Sequence, residues 1–242
     1  MTSFTSRQQA YAWREVKLTR SQENTALKIA GIIKFFFKGK ARGRLPPFRG
    51  FLLEGPPGSG KTQLAWQAAL MAGAEPIMVD SSNVATPKWG EAEEKLRGLF
   101  EGTTSLGDRK RVLILDDIDC LMLKRGLEVA KEWHYSINSV LFHLLDVIDP
   151  NQTIVIATTN RPDLIDDALR SRLYSLSIPV PPLEELIEIA GNLLKESGVR
   201  EEKVPKIVEK ISSELREMNG PTIRTVQHLV IRECIEGGLW VF

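Results

Sequence analysis

Two rhythms of apolar and polar residues alternate along the first three-quarters of this chain. Short apolar runs at 51–54, 76–79, 112–116, 154–158 and 175–178 read as buried strands. Between them, helical spacing marks stretches that begin near Lys61, cover 90–101, and lie within 131–147. Such alternation predicts a mostly parallel sheet with helices on both faces, because right-handed crossovers put the helices there. Ahead of this series, the later part of 11–38 has an apolar-faced helical pattern ending at Gly39, and 39–49 reads as a loop. Past Val180-Pro181-Pro182 the strand rhythm stops, and three helical patterns follow at 183–197, 202–217 and 221–236. The expected fold is α/β, with a five-stranded parallel sheet sandwiched by helices over residues 1–180, N-terminal extension included. A small C-terminal helical lid is expected over 181–242.

Composition fits that division. At 242 residues, 43% apolar and 26% charged, the chain can bury a substantial core and exceeds the ~100–150 residues of one ordinary domain. A net charge of +1 supplies no global field toward nucleic acid or acidic surfaces. One local cluster, Lys34, Lys38, Lys40, Arg42, Arg44 and Arg49, is basic, and reads as a solvated connector ahead of a nucleic-acid contact. Cys120 and Cys234 lie far apart without metal-ligand spacing, which favours packing as small apolar residues in a reducing compartment over a disulfide. No apolar run approaches the ~20 residues that cross a bilayer, and no signal-type segment is present, so a cytoplasmic protein without a membrane partner is expected.

The strongest chemical signal is Gly55-Pro56-Pro57-Gly58-Ser59-Gly60-Lys61-Thr62, an eight-residue phosphate loop set between an expected strand and an expected helix. Its glycines let backbone N–H groups converge on phosphate oxygens, and the helix N-terminus adds partial positive charge. Pro57, Gly58, Ser59, Gly60, Lys61, Thr62 and Gln63 are the residues placed to hold the nucleotide. Lys61 should reach the β- and γ-phosphates, and the Thr62 hydroxyl should ligate Mg²⁺. The expected core is therefore that of a P-loop NTPase.

Farther on, Val112-Leu113-Ile114-Leu115 runs into Asp116-Asp117-Ile118-Asp119, so carboxylates emerge at the C-terminal end of a buried strand, where open α/β sheets bind ligands. Asp116 is the candidate for holding Mg²⁺ with Thr62, and Asp117 for orienting the attacking water. An acidic turn of no catalytic consequence is the competing reading, weakened by the phosphate loop.

Together with Ala157-Thr158-Thr159-Asn160-Arg161-Pro162-Asp163, these motifs resemble the AAA+ family, nearest in look to the AAA branch of unfoldases and remodelling ATPases. The likeness runs from about Trp13 to Glu236. It implies ATP and Mg²⁺ as cofactors, and Asn160 as a contact to the γ-phosphate and the attacking water. Otherwise Asn160 is a polar residue in a turn. It also implies an arginine that reaches the neighbouring subunit's nucleotide. Arg172 is the first choice and Arg170 the alternative, because the usual spacer between the two is shorter here. A surface salt bridge is the other explanation for either. Lys88-Trp89-Gly90 falls where the family carries a pore loop that grips polypeptide, with a buried Trp89 capping the next helix as the rival account. Val16 falls where the family's backbone brackets adenine, and Arg224 near a second sensor arginine, though a solvated helix residue is favoured there. Where the family has Glu, this chain has Asp117, a carboxylate ~1.5 Å shorter in reach, which points to slow hydrolysis.

These features imply an ATP hydrolase that remodels a protein or protein complex, as a homo-oligomer expected to be a hexameric ring, with a protein substrate or adaptor as partner. A nucleic-acid-associated switch and a slowly hydrolysing ATP-binding structural module are the alternatives.

Overall fold

The computed structural model describes residues 17–39, 48–81, 90–104, 109–121 and 132–237. Val16, Lys40, Arg42, Arg44, Lys88 and Trp89, singled out above, lie outside the described residues. The chain order is α1 (Arg20–Phe37), β1 (Gly50–Glu54), α2 (Lys61–Met71), β2 (Glu75–Asp80), α3 (Glu91–Thr104), β3 (Arg111–Asp116), α4 (Glu132–Val147) and β4 (Thr153–Thr159). There follow α5 (Asp167–Arg170), β5 (Tyr174–Ser177), α6 (Leu183–Glu196), α7 (Val204–Glu217) and α8 (Ile223–Glu236). Short 3-10 turns at Ile118–Cys120 and Pro162–Leu164 follow β3 and β4.

The strands form one sheet in the order β2-β3-β4-β1-β5, every pairing parallel. Period-two alternation decides which helices each strand meets. Leu52, Leu113, Leu115, Val155 and Ala157 point to one face, where Leu96 and Phe100 of α3 and Leu141 and Leu145 of α4 cover them. Phe51, Leu53, Val112, Ile114, Ile154 and Ile156 point to the other, against Ile29 and Ile33 of α1 and Leu64 and Ala68 of α2. All are buried, and each large side chain removed from water contributes about 1.5–3 kcal/mol. Both-sided burial is why the central strands read as near-continuous apolar runs.

α1 starts at a capping box, in which the Thr19 hydroxyl accepts from the Gln22 backbone N–H and the Gln22 side chain accepts from the Thr19 N–H. It stops at Gly39, whose φ of 64° takes the left-handed conformation that ends helices. α6, α7 and α8 build a separate apolar cluster from Leu186, Ala190, Leu194, Ile211, Leu215, Val226, Leu229 and Val230. Within it the buried Glu233 carboxylate is held by Lys210 at 2.8 Å and Arg232 at 2.9 Å. Cys234 packs in this cluster as expected, whereas Cys120, in the turn after β3, is exposed. Among the described residues no helix is long and apolar enough to cross a membrane.

Candidate nucleotide site

At the C-terminal edge of the sheet, the chain leaves β1 at Glu54 beside Thr159 of β4, and β3 ends at Asp116 one strand farther over. The phosphate loop rises between them. Gly58 has φ 75° and Gly60 has φ 85°, conformations that other residues rarely adopt. Space is short there as well, since a Cβ on Gly58 would stand 2.7 Å from Thr222 Oγ1 and one on Gly60 2.4 Å from Gln22 Nε2, so those side chains would have to shift. As N-cap of α2, Gly60 has no side chain to occupy the helix N-terminus, leaving that end of the dipole for an anion.

Lys61 is buried at 5% exposure, yet its Nζ lies at the junction of several polar groups. It donates to Gly55 O at 3.0 Å, to Pro56 O at 2.9 Å and to Asn160 Oδ1 at 2.7 Å. Burial pushes the ammonium's pKa below its usual value, against the pull of the Asp117, Asp116 and Asp119 carboxylates. Asp116 Oδ1 accepts from the Thr62 hydroxyl at 2.7 Å and from the Thr158 hydroxyl at 2.7 Å. The Asp117 N–H in turn donates to Thr158 Oγ1 at 3.1 Å, so a threonine on β4 fixes both aspartates. Asn160 Nδ2 donates to Asp117 Oδ1 at 2.9 Å. Thr159 donates to Asp119 Oδ1 at 2.6 Å, pinning the end of β4 to the turn after β3.

Asp117 is the one non-glycine residue among those described with positive φ, 47° with ψ 55°. Aspartate tolerates the left-handed region better than most residues, which gives a backbone reason for Asp at this position. Such strain persists where the surroundings over-determine it, and it gathers at functional sites.

Lys61, Thr62, Gln63, Asp116, Asp117 and Asn160 thus line one cleft of about 430 Å³, together with Pro57, Gly58 and Gly60. Ser59 is fully buried in the loop beneath it. The C-terminal helices close the cleft from the far side. Ile223 N–H donates to Gly58 O at 3.1 Å, and Ile223, Arg224 and Gln227 of α8 line the wall. Arg224 is solvent-exposed, as expected of a helix surface residue, but stands over the phosphate loop, close enough that its charge depresses the Lys61 pKa. Gln22 Nε2 donates to Ser59 O at 3.0 Å from behind. Sequence pattern points neither to Gln22 nor to the docking of Ile223 on Gly58. The Thr19-x-x-Gln22 capping-box spacing marks the helix start but not the loop it would touch.

The two arginines are not brought to this cleft. Arg170 pairs with Glu54 at 2.7 Å and donates to Pro162 O. Arg172 makes a two-pronged pair with Asp146 of α4 at 3.0 and 2.9 Å, donates to Ala168 O at 3.0 Å, and stacks 4.8 Å from the Phe142 ring. The hydrogen bond from Arg172 holds the Asp146 carboxyl below its usual pKa.

The donor set fits magnesium with a nucleotide. A hydroxyl and a carboxylate oxygen stand side by side at the mouth of the phosphate loop, hard oxygen ligands of the kind Mg²⁺ takes with substrate phosphates supplying others. Among the described residues no group of three or more His, Cys, Asp or Glu could hold a metal by protein ligands alone.

The family model of the ATPase family associated with various cellular activities (AAA) matches residues 51–179. The chain belongs to this family. It is 33% identical to the "ATPase family gene 2 protein" of Schizosaccharomyces pombe over 75% of its own length and 22% of that protein's. It is 34% identical to the "Cell division cycle protein 48 homolog" of Archaeoglobus fulgidus over 65% of its length and 20% of that protein's. To a katanin p60 ATPase-containing protein of Oryctolagus cuniculus it is 34% identical over 73% of its length and 37% of that protein's. This AAA chain therefore spans well under half the length of these relatives. The matched segment of the AAA ATPase domain holds the phosphate loop, Asp116, Asp117, Asn160, Arg170 and Arg172, whereas Gln22, Ile223 and Arg224 lie outside it.

Proposed function

We propose that this AAA chain binds Mg-ATP in the cleft and hydrolyses it, and that the cycle moves a C-terminal lid, residues 181–242, against the α/β core to remodel a protein client. The observation that carries this reading is the convergence of Lys61, Thr62, Asp116, Asp117 and Asn160 on one cleft from separate chain segments. Magnesium would neutralise charge on the β- and γ-phosphate oxygens, held by Thr62 and Asp116. Lys61 exchanges its loop carbonyls for phosphate oxygens, while Asn160, already bonded to Asp117, holds that carboxylate toward the attacking water. Loop residues from Pro57 to Gln63 supply the backbone cradle, and Val16 is the proposed adenine contact.

Arg172 is proposed to complete the neighbouring subunit's site, which requires a head-to-tail interface and, if the rotation closes, a ring of identical subunits. A hexamer is the family's expectation. The remodelling reading draws on the resemblance of the chain's motifs to the AAA branch of unfoldases and remodelling ATPases, with Lys88-Trp89-Gly90 at the place of the pore loop. For a nucleic-acid client, the supporting observation is a group of lysines around the C-terminal end of α1. Lys34 on the last turn of α1 and Lys38 just past it are exposed, and Lys110 lies 6.0 Å over the Phe37 ring. ATPase stimulation by unfolded polypeptide or by DNA separates the two.

Titration of Mg-ATP into wild type and Lys61→Ala tests the site. The variant should bind at least about 100-fold more weakly, since a charged partner of the phosphates is lost, and equal affinity would refute the reading. Slow turnover through the short Asp117 is tested with Asp117→Glu. The longer side chain should raise turnover about tenfold while costing roughly 1 kcal/mol of stability for its left-handed backbone. A Glu variant no faster than wild type would end that account and remove the sequence feature that supports the structural-module alternative.

A further inference from the structure

Gln22 sits at the first turn of α1, outside the AAA-matched residues 51–179, yet touches the phosphate loop directly. Its side-chain amide is oriented by its partners. The Thr19 N–H can only donate, so it must face Oε1, at 3.1 Å. That leaves Nε2 to donate to Ser59 O, at 3.0 Å. Gln22 is 5% exposed and its amide fills the space that a Gly60 Cβ would need, so the Ser59–Gly60 peptide has little room to rotate.

The same turn is held from the C-terminal helices. Glu185, in the first turn of α6, accepts from the Ser21 backbone N–H at 3.2 Å and from the Ser21 hydroxyl at 2.6 Å. Its carboxylate therefore meets the positive ends of two helices at once, its own and α1. Burial would raise the Glu185 pKa, but the hydrogen bonds from Ser21 and Thr19 outweigh it and hold the group below its usual value. On the opposite side of the loop, Ile223 N–H binds Gly58 O at 3.1 Å. The phosphate loop is thus gripped at two successive carbonyls, one by the lid directly and the other by a turn that the lid also holds.

We propose that Gln22 is a positioning residue for the phosphate loop, and that the Glu185–Ser21 contact makes it a strut through which lid position sets how tightly nucleotide is held. The proposal rests on the ATP reading of the cleft. Gln22 does not line the cleft. It fixes the peptide plane between Ser59 and Gly60, which determines where the loop's N–H groups point.

The capping box supplies the deciding variant. Glutamate serves that motif as well as glutamine does, because its carboxylate accepts from the N-cap N–H. Gln22→Glu therefore keeps the helix start but replaces the donor facing Ser59 O with a second acceptor. Wild type, Gln22→Glu and Gln22→Ala would be compared by calorimetric titration with Mg-ADP and Mg-ATP, by thermal melting, and by steady-state turnover. Gln22→Glu should bind nucleotide at least about tenfold more weakly, because an acceptor then faces Ser59 O where a donor stood. The change should fall on KM, with kcat at saturating ATP within about twofold. Gln22→Ala should lose both affinity and melting temperature.

Glutamate binding as tightly as glutamine would reduce Gln22 to a helix cap and overturn the proposal. Glu185→Ala should speed Mg-ADP release about fivefold in wild type and have no further effect in the Gln22→Glu background. Equal effects in both backgrounds would overturn the strut. Wild type that binds neither nucleotide would instead overturn the reading of the cleft, so the two failures are distinguishable.

Discussion

The cleft around Lys61 and the segment around Arg172 are both rich in charge, but they are finished in different senses. In the cleft, polar groups from the phosphate loop, α2, β3 and the end of β4 face one another across a shared space. Around Arg172 the guanidinium is spent on its own chain, two prongs on Asp146 and one on Ala168 O, with Phe142 beneath. Arg170 is likewise spent on Glu54 and Pro162 O. One region is a cleft assembled within a single chain. The other, on the proposed reading, is a latched donor whose acceptor would come from a second copy, and its present partners would have to be exchanged before it acts.

The sharpest way to break that contrast is to remove the donors separately. Arg172→Ala should reduce turnover about 10³–10⁵-fold, the range for a guanidinium that neutralises a transferring phosphoryl group, with Mg-ATP affinity of the isolated chain unchanged. Arg170→Ala should act chiefly on stability, since Glu54 at the neck of the phosphate loop loses its partner. Mixing Arg172→Ala with Lys61→Ala chains distinguishes a neighbour's arginine from a chain's own. Partial recovery of turnover supports completion in trans, and none contradicts it. A somewhat smaller effect is expected inside the cleft. Asp117→Asn keeps size and the hydrogen bond to Asn160 but not the basic oxygen, so turnover should fall about 10²–10⁴-fold at unaltered nucleotide affinity. A fall in affinity equal to the fall in turnover would instead make Asp117 a binding group.

The same contrast explains what can be read from the sequence. The phosphate loop and the Asp116–Asp119 turn are legible because their chemistry is local: glycine where φ is positive, carboxylates at the end of an apolar strand. The strands β1 to β4 lie within about a residue of expectation because burial on both faces leaves apolar runs with polar ends. β5, expected at 175–178 and found at Tyr174–Ser177, lies within the same margin, although as an edge strand paired to β1 its side chains are mostly exposed. The pattern for α8 begins at Pro221 and the helix starts at Ile223, since Thr222 takes the cap through a box with Thr225. What escapes the sequence are contacts whose two ends lie far apart and carry ordinary residues. Gln22 meets Ser59, Ile223 meets Gly58, and Glu185 meets Ser21. The Asp146 partner of Arg172 is equally hidden, because a helix surface aspartate carries no signal of what packs opposite.

Within the cleft, the pairing of Thr62 with Asp116 yields a more modest expectation. Thr62→Ala removes the hydroxyl proposed to meet magnesium and one donor to Asp116 Oδ1, while Thr158 still holds the carboxylate. Mg-ATP affinity should drop roughly tenfold, and the drop should vanish when ATP is titrated in EDTA without metal. A loss of the same size without magnesium would show that Thr62 serves the loop's shape instead.

The smallest effect tests whether the arginine latch restrains activity. Asp146 is about half exposed, with a side-chain exposure of 49% against 28% for Arg172, so the pair is worth only ~0.2–1 kcal/mol despite its two-pronged geometry. Asp146→Asn leaves a neutral acceptor in the same place, and Arg172 keeps Ala168 O and Phe142. If Arg172 must leave Asp146 to reach a neighbour, weakening the pair shifts that exchange by the same free energy. Turnover should rise by up to about fivefold, most visibly at low ionic strength, where the native pair is strongest, and the gain should shrink as salt screens it. The gain must also disappear in the Arg172→Ala background, because there is no longer a guanidinium to release. A lower turnover in Asp146→Asn would mean that the aspartate aims Arg172 rather than restraining it, and the two regions would then be equally preorganised.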